Sequence, residues 1–319
     1  MNQYNTLQTH IAWWNVENLF DTEDASRSDS LTRRLRNELV GWNEQVLDKK
    51  LAQLSSIISA MNNNQGPDIL GVCEVESKRV LEKLVDAIPL SRNYSIVHED
   101  TEDKRGIDVA FIYDSDKFSF EKKFSHTIVK RSSTRDIFQV NLKIIGITQE
   151  IILIGNHWPS RSGGAQESAP YRMMAGENLS YFHQRIVEEN NENIPIIAMG
   201  DFNDEPFDMS LTKYALSVRD AEPLRRARNQ KFYNLMWSLL GAGKGTHHYG
   251  SEFSMLDQFL ISKGLLFGNS TVQYVDDSVI IDTGLFSDDK PVRFGRPSSM
   301  LNESGYSDHF PISMKVEIN

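Results

Sequence analysis

The chain has one cysteine in 319 residues, Cys73, so no disulfide can form within it and nothing requires an oxidising compartment. Lying inside Ile69-Leu70-Gly71-Val72-Cys73, that thiol reads as a small buried apolar side chain. No apolar run approaches the roughly 20 residues of a membrane-spanning helix. The first twenty residues also lack a basic start followed by an apolar stretch. With Met1 as the natural start, a cytoplasmic protein is expected; a leader removed beforehand would make it secreted. No internal repeat can be aligned, and no low-complexity linker interrupts the apolar runs at the midpoint, so residues 1–319 read as one domain. Cationic charge is scarce as well: 44 Asp plus Glu face 34 Lys plus Arg, for a net charge of −10. That argues against a general nucleic-acid coat but leaves room for a local basic groove.

What the chain does have is a set of apolar runs that end in polar residues. Ile194-Pro195-Ile196-Ile197-Ala198-Met199 leads into Gly200-Asp201-Phe202-Asn203, and Ser307-Asp308-His309 precedes Phe310-Pro311-Ile312. Other runs end in Asn15, Glu74 and His157. Buried strands that stop this way deliver side chains to one rim of a sheet. Strands are expected at 11–14, 68–75, 107–113, 137–145, 151–156, 196–199, 256–261, 271–275 and 312–316. Leu47, Leu51, Leu54, Ile58 and Met61 recur at helical spacing. Further helices are expected over 77–87 and from Pro170, the latter turning Met174, Phe182 and Ile186 inward. The polar stretches 22–42, 160–169 and 282–306 read as loops. The middle one, with Arg161-Ser162-Gly163-Gly164, could fold over a substrate or be an ordinary exposed connection.

An acid cluster at such a rim can hold a divalent cation, since magnesium prefers carboxylate and amide oxygens and keeps several waters. A lone acid after a strand is more often a cap or a solvated turn, yet several similar ends in one chain weaken that reading. His157 and His309 could each donate to a phosphate oxygen. Asp257, inside Met255-Leu256-Asp257-Gln258-Phe259, needs a partner if buried; His309 is a natural one, its tautomer fixed and its charged form favoured by the carboxylate. His247-His248 is a poor zinc site because adjacent side chains in an extended segment face opposite ways, and no His-Glu-x-x-His pattern occurs. Arg135, Arg161 and Arg172 are candidate phosphate contacts by guanidinium geometry, against the plainer reading of surface residues.

Together these segments resemble the endonuclease/exonuclease/phosphatase superfamily of metal-dependent phosphodiesterases. The matching residues are Trp14-Asn15-Val16-Glu17-Asn18-Leu19-Phe20, Gly71-Val72-Cys73-Glu74-Val75-Glu76 and Arg105-Gly106-Ile107-Asp108-Val109-Ala110. They continue through Asn156-His157-Trp158, Gly200-Asp201-Phe202-Asn203, Leu256-Asp257-Gln258-Phe259 and Ser307-Asp308-His309-Phe310-Pro311. The resemblance implies an α+β fold, a four-layer α/β/β/α sandwich of two mainly antiparallel sheets. It implies a Mg2+ cofactor, replaceable by Mn2+, with Glu74 as principal metal acid and Asn15 and Asp308 beside it. By the same resemblance Asp201 orients or deprotonates the attacking water, or protonates the leaving oxygen. Asn203 positions water and phosphate, and His157 and His309 bond the scissile phosphate, with Asp257 orienting His309.

Asp204-Glu205-Pro206 and Ser254-Met255-Leu256-Asp257 depart from the inositol-phosphatase pattern, while His157 leans toward deoxyribonuclease-like and sphingomyelinase-like relatives. The first expectation is a nuclease acting on DNA or RNA. A phosphatase or phosphodiesterase for a small molecule or lipid headgroup is the alternative, and a catalytically silent binding module the third. No protein partner is expected.

Overall fold

The computed structural model describes residues 7–101, 106–128 and 136–319. β1 (Leu7–Leu19), β2 (Ile69–Val75), β3 (Tyr94–His98) and β4 (Asp108–Asp114) begin one sheet. The chain then builds a second from β5 (Phe118–His126), β6 (Ile137–Ile144), β7 (Glu150–His157) and β8 (Ile196–Asp201). β9 (Ser217–Val218) and β10 (Phe232–Asn234) extend it, a small hairpin of β11 (His247–Tyr249) and β12 (Glu252–Ser254) follows, and β13 (Asp257–Ile261) inserts between β8 and β10. Finally β14 (Val272–Tyr274), β15 (Ile280–Ile281) and β16 (Ile312–Ile318) return to the first sheet, where β16 lies against β1.

Alternation along the strands makes the layers. Ile11, Trp13, Ile69, Phe111 and Val109 face inward and pack with Phe138, Val140, Leu153, Met199 and Phe259 of the second sheet. Ala12, Trp14, Leu70 and Val72, one step out of phase, meet α2 (Glu44–Asn64) and α3 (Lys78–Ala87). On the other side Ile152, Ile154, Ile196 and Ala198 are covered by α4 (Ala165–Glu189). The result is the expected α/β/β/α sandwich. Close approach of the sheets uses Gly155, where a Cβ would sit 2.5 Å from Val109 Cγ1 of the facing sheet. Asn43 and Ser77 cap α2 and α3 by accepting from Val46 and Val80, each cap contributing about 1 kcal/mol.

Three expectations need correction. α4 starts at Ala165, not at Pro170, and Met174 faces solvent, because the inward stripe of that helix runs through Arg172, Ala175, Leu179, His183 and Ile186. The stretch 22–42 is not all loop, since it holds a short helix, α1 (Asp29–Leu35), capped by Ser28. β3 and β5 were missed because each is largely half-buried or exposed and so has no continuous apolar run.

Candidate active site

The second sheet places three polar side chains level with one another at its rim. β7 runs parallel to β8 with His157 opposite Asp201, and β8 runs antiparallel to β13 with Asp201 opposite Asp257. Paired residues share a face, so all three project toward the first sheet. There Asn15 Nδ2 donates to Asp201 Oδ2 at 3.1 Å and Trp13 Nε1 donates to Asp257 Oδ1 at 3.1 Å.

The first sheet contributes Asn15 and Glu74 where its pairing breaks. The register slips between Asn15 and Leu19 and again between Cys73 and Val75. Glu17, Asn18 and Glu74 hold φ values of 52, 53 and 66°, and Asn203 holds 51°. A non-glycine residue in that region costs about 1–3 kcal/mol, and such strain collects at functional sites. Local hydrogen bonds over-determine it. Asn15 Oδ1 accepts from Glu17 N and Glu74 Oε2 from Asn18 N, both at 3.0 Å. Asp201 Oδ1 accepts from Asn203 N at 3.0 Å, and Asn203 Nδ2 donates to Trp158 O at 3.1 Å.

The turn before β16 closes the group. Ser307 Oγ donates to Asn15 O at 2.6 Å and accepts from His309 N at 3.1 Å, which pins Ser307-Asp308-His309 over the first sheet. His309 Nδ1 then lies 2.6 Å from Asp257 Oδ2, the pairing expected from the residues themselves, and Nε2 points toward Asp201 Oδ2 at 4.0 Å. His157 Nε2 stands 3.6 Å from Glu74 Oε1 and 3.8 Å from Asp201 Oδ2. Asn15, Glu74, His157, Asp201, Asn203, Asp257 and His309 thus converge from separate strands and turns. Asp308 lies just outside, its Oδ2 3.4 Å from Arg293 Nε.

Burial sets the protonation states. It pushes Asp201 up to about 6, with Asp257 adding to the rise and His309 opposing it. Burial also works against charge on His309, but the bonded Asp257 and the nearby Asp201 and Asp308 outweigh it and lift the imidazole well above its usual value. His309 is therefore a cation with both ring nitrogens donating: Nδ1–H to Asp257, and Nε2–H outward.

For a metal, the donor set is the test. Glu74, Asn15 and Asp308 offer carboxylate and amide oxygens, the hard ligands that suit Mg2+ or Mn2+, and Glu74 and Asn15 flank the same pair, Asn15 bonded to Asp201 and Glu74 3.6 Å from His157. These residues fit such an ion. Asp201, Asp257 and His309 also bring ligand atoms within 4.8 Å of one another, but there the Nδ1 nitrogen is already bonded to Asp257.

The candidate arginines fare differently. Arg172 is 1% exposed, its Nε 2.7 Å from Asp204 Oδ1 and its terminal nitrogens on Pro159 O, Ser168 Oγ and Ala165 O. It braces the loop after His157 from within and is not presented to a substrate, which corrects the expectation for it. Arg161 donates to Asn203 O, Asp204 and Asp208, so it too holds the loop that carries Asn203. Arg135, and Arg105 of the third motif, lie outside the described residues.

Four more residues line this rim that the sequence does not mark as site residues, although Glu17 lies in one of the matching segments and His247 reads only as half of a poor zinc site. Glu17 accepts from Arg293 Nε at 2.8 Å. Lys50, fully buried, donates to Tyr306 O at 2.6 Å; burial pulls it down to about 8 against the pull of Glu17, Asp308 and Glu74. Its signal was available, because position 50 falls on the apolar stripe of Leu47, Leu51 and Leu54. His247 forms a backbone bridge with His309, their rings 4.8 Å apart. Arg293 belongs to the stretch 282–306, which has no periodicity to read.

A family model described as the Endonuclease/Exonuclease/phosphatase family matches residues 10–318. The chain belongs to that family. Its members are phosphoric ester hydrolases, typically dependent on a divalent metal. No curated protein sequence matches. Among solved structures, an endonuclease/exonuclease/phosphatase family protein from Bacteroides thetaiotaomicron is 16% identical with a TM-score of 0.59, covering 99% of this chain and 97% of its own. TDP2 from C. elegans is 17% identical with a TM-score of 0.57, over 98% of this chain and 75% of that one. A mannosyl-6-phosphatase of B. thetaiotaomicron is 17% identical with a TM-score of 0.56, over 98% and 99%. At such identities the likeness shows a shared fold. No helix among the described residues is long and apolar enough to cross a membrane.

Proposed function

We propose that the chain, acting as one domain over residues 1–319, is a divalent-metal-dependent phosphodiester hydrolase that cleaves DNA or RNA. The observation that carries this reading is the 2.6 Å Asp257–His309 pair facing Asp201 across the rim that also holds Glu74 and Asn15. Mg2+, or Mn2+ in its place, held by Glu74, Asn15 and Asp308, would neutralise charge on the phosphoryl oxygens. Asp201, with its carboxyl at about 6, can exchange a proton near neutral pH. It either takes one from the attacking water or returns one to the leaving oxygen. His309 gives its Nε2–H to a non-bridging oxygen, with Asp257 holding ring and charge in place. His157 offers a second donor, and Asn203, fixed by its bonds to Asp201 and Trp158, aligns the water.

A phosphomonoester or small phosphodiester is the second reading. It is favoured by the net charge of −10 and by the whole-length likeness to a mannosyl-6-phosphatase. The test is cleavage of supercoiled plasmid and of single-stranded RNA with Mg2+, beside an EDTA control and a panel of sugar phosphates. Nucleic acid cut in Mg2+ and spared in EDTA supports the first reading. Turnover of the sugar phosphates alone supports the second, and no turnover of either class rejects both.

A further inference from the structure

The site holds Glu17, Glu74, Asp201, Asp257 and Asp308, and a phosphate approaching it must meet cationic donors. Lys50 is directed inward to Tyr306 O, and Arg161 and Arg172 are bonded to the loop beneath them. Arg293 is different. Its Nε donates to Glu17 Oε1 at 2.8 Å and stands 3.4 Å from Asp308 Oδ2, which anchors one edge of the guanidinium beside the candidate metal ligands. Its side chain is nevertheless 66% exposed, and its terminal nitrogens make no hydrogen bond among the described residues.

The anchor is itself rigid. Glu17 is 2% exposed and also accepts from Phe294 N at 2.8 Å and Gly295 N at 3.3 Å, so one carboxylate fixes both the arginine and the backbone that carries it. Phe294 beside it is fully buried against Trp42. A guanidinium held by Nε loses little freedom when its other edge binds, and that edge matches two oxygens of a phosphate.

We infer that Arg293 is a further anion-receiving side chain of this site, beside the two histidines, its terminal nitrogens taking oxygens of the substrate phosphate while Nε stays on Glu17. The identity of the anion rests on the hydrolase reading above. Glu17, held in a left-handed backbone conformation inside the Trp14–Phe20 segment, is then the residue that positions Arg293.

The test is calorimetric titration of inorganic phosphate in Mg2+ into wild type, Arg293→Ala and Arg293→Lys. Melting curves identify any variant that has lost its fold. Arg293→Gln, whose amide can still donate to Glu17, replaces the alanine variant if that one melts early. The dissociation constant for phosphate should rise about tenfold to a hundredfold on removal of the guanidinium, with lysine between the two. Unchanged affinity in a folded Arg293→Ala or Arg293→Gln overturns the inference, as does a wild type that does not bind phosphate. Phosphate binding through Arg293 in a protein that hydrolyses no phosphoester would keep this inference and reject the hydrolase reading. The same assay in an active enzyme indifferent to Arg293 would do the reverse.

Discussion

The first sheet carries buried acids at both ends of its strands. At the end away from the candidate site, Asp68 precedes β2 and Asp114 closes β4. Asp68 accepts from His10 N at 2.7 Å, Arg92 at 2.7 Å and Lys117 at 2.6 Å, and Arg92 reaches Asp114 at 2.8 Å. Burial alone would raise Asp68, but the His10 N–H with Lys117 and Arg92 brings it below the usual carboxylate range. At the other end, where the second sheet adds Asp201 and Asp257, burial pushes Glu17 and Asp201 up, and Glu17, Glu74, Asp201, Asp257 and Asp308 outnumber Lys50, Arg293 and the charged His309. An acid at the end of an apolar run therefore marks no site by itself. What separates the two rims is whether the charge is already cancelled: the far rim is neutralised for stability, and the near rim keeps an excess that a divalent cation would balance.

The sharpest way to break this contrast is His309→Ala. It should lower kcat by a hundredfold or more with the fold intact, since a donor to the developing charge is lost, and it should lower the melting temperature, since fully buried Asp257 keeps only the Trp13 donor. Asp257→Asn should fall in the same direction by less, because the ring survives without its anion. Steady-state kinetics of both, beside thermal melts, decide this; near-normal turnover in His309→Ala removes that histidine from the chemistry. At the far rim Arg92→Ala should do the opposite, costing about 2 kcal/mol of stability in urea unfolding with kcat unchanged, since Lys117 still meets Asp68 but Asp114 loses its cation. Next in size, Glu74→Gln should raise the Mg2+ concentration for half-maximal activity about tenfold or more, read from a metal titration of activity.

The smallest effect concerns His183, on the buried face of α4 and stacked on Phe232 at 3.9 Å, where burial holds its pKa down to about 3. The folded pKa lies below the unfolded one, so this residue's contribution is complete above pH 6.5. It is lost as pH falls toward 3, because only the unfolded chain takes the proton. Between pH 7.5 and 5.5 the loss is about 1.4 kcal/mol, and His183→Phe should flatten that part of a stability-against-pH curve. An equal slope in both proteins would assign the acid sensitivity elsewhere, with His10 the next candidate.

Much of this was legible in the chain. Strands whose both faces are buried read as continuous apolar runs, and their polar last residues pointed to the near rim. Asp257 within an apolar strand announced its need for a partner, and His309 supplies it. Other features depend on tertiary partners that no local pattern encodes. The left-handed turn through Glu17 and Asn18 prolongs β1 well beyond Trp14. Arg161 and Arg172 look like phosphate ligands until Asp204 is brought beside them. Arg293 could not be singled out because its position comes from Glu17, far away in sequence.

Anomalous diffraction from crystals soaked in Mn2+ would locate the ion at this rim. A peak is expected at oxygen-coordination distance from Glu74 and Asn15, on the side facing Asp308. A peak instead among His98, Asp100 and Asp108, whose ligand atoms also lie within 4.8 Å of one another, or none at Glu74, would contradict that placement.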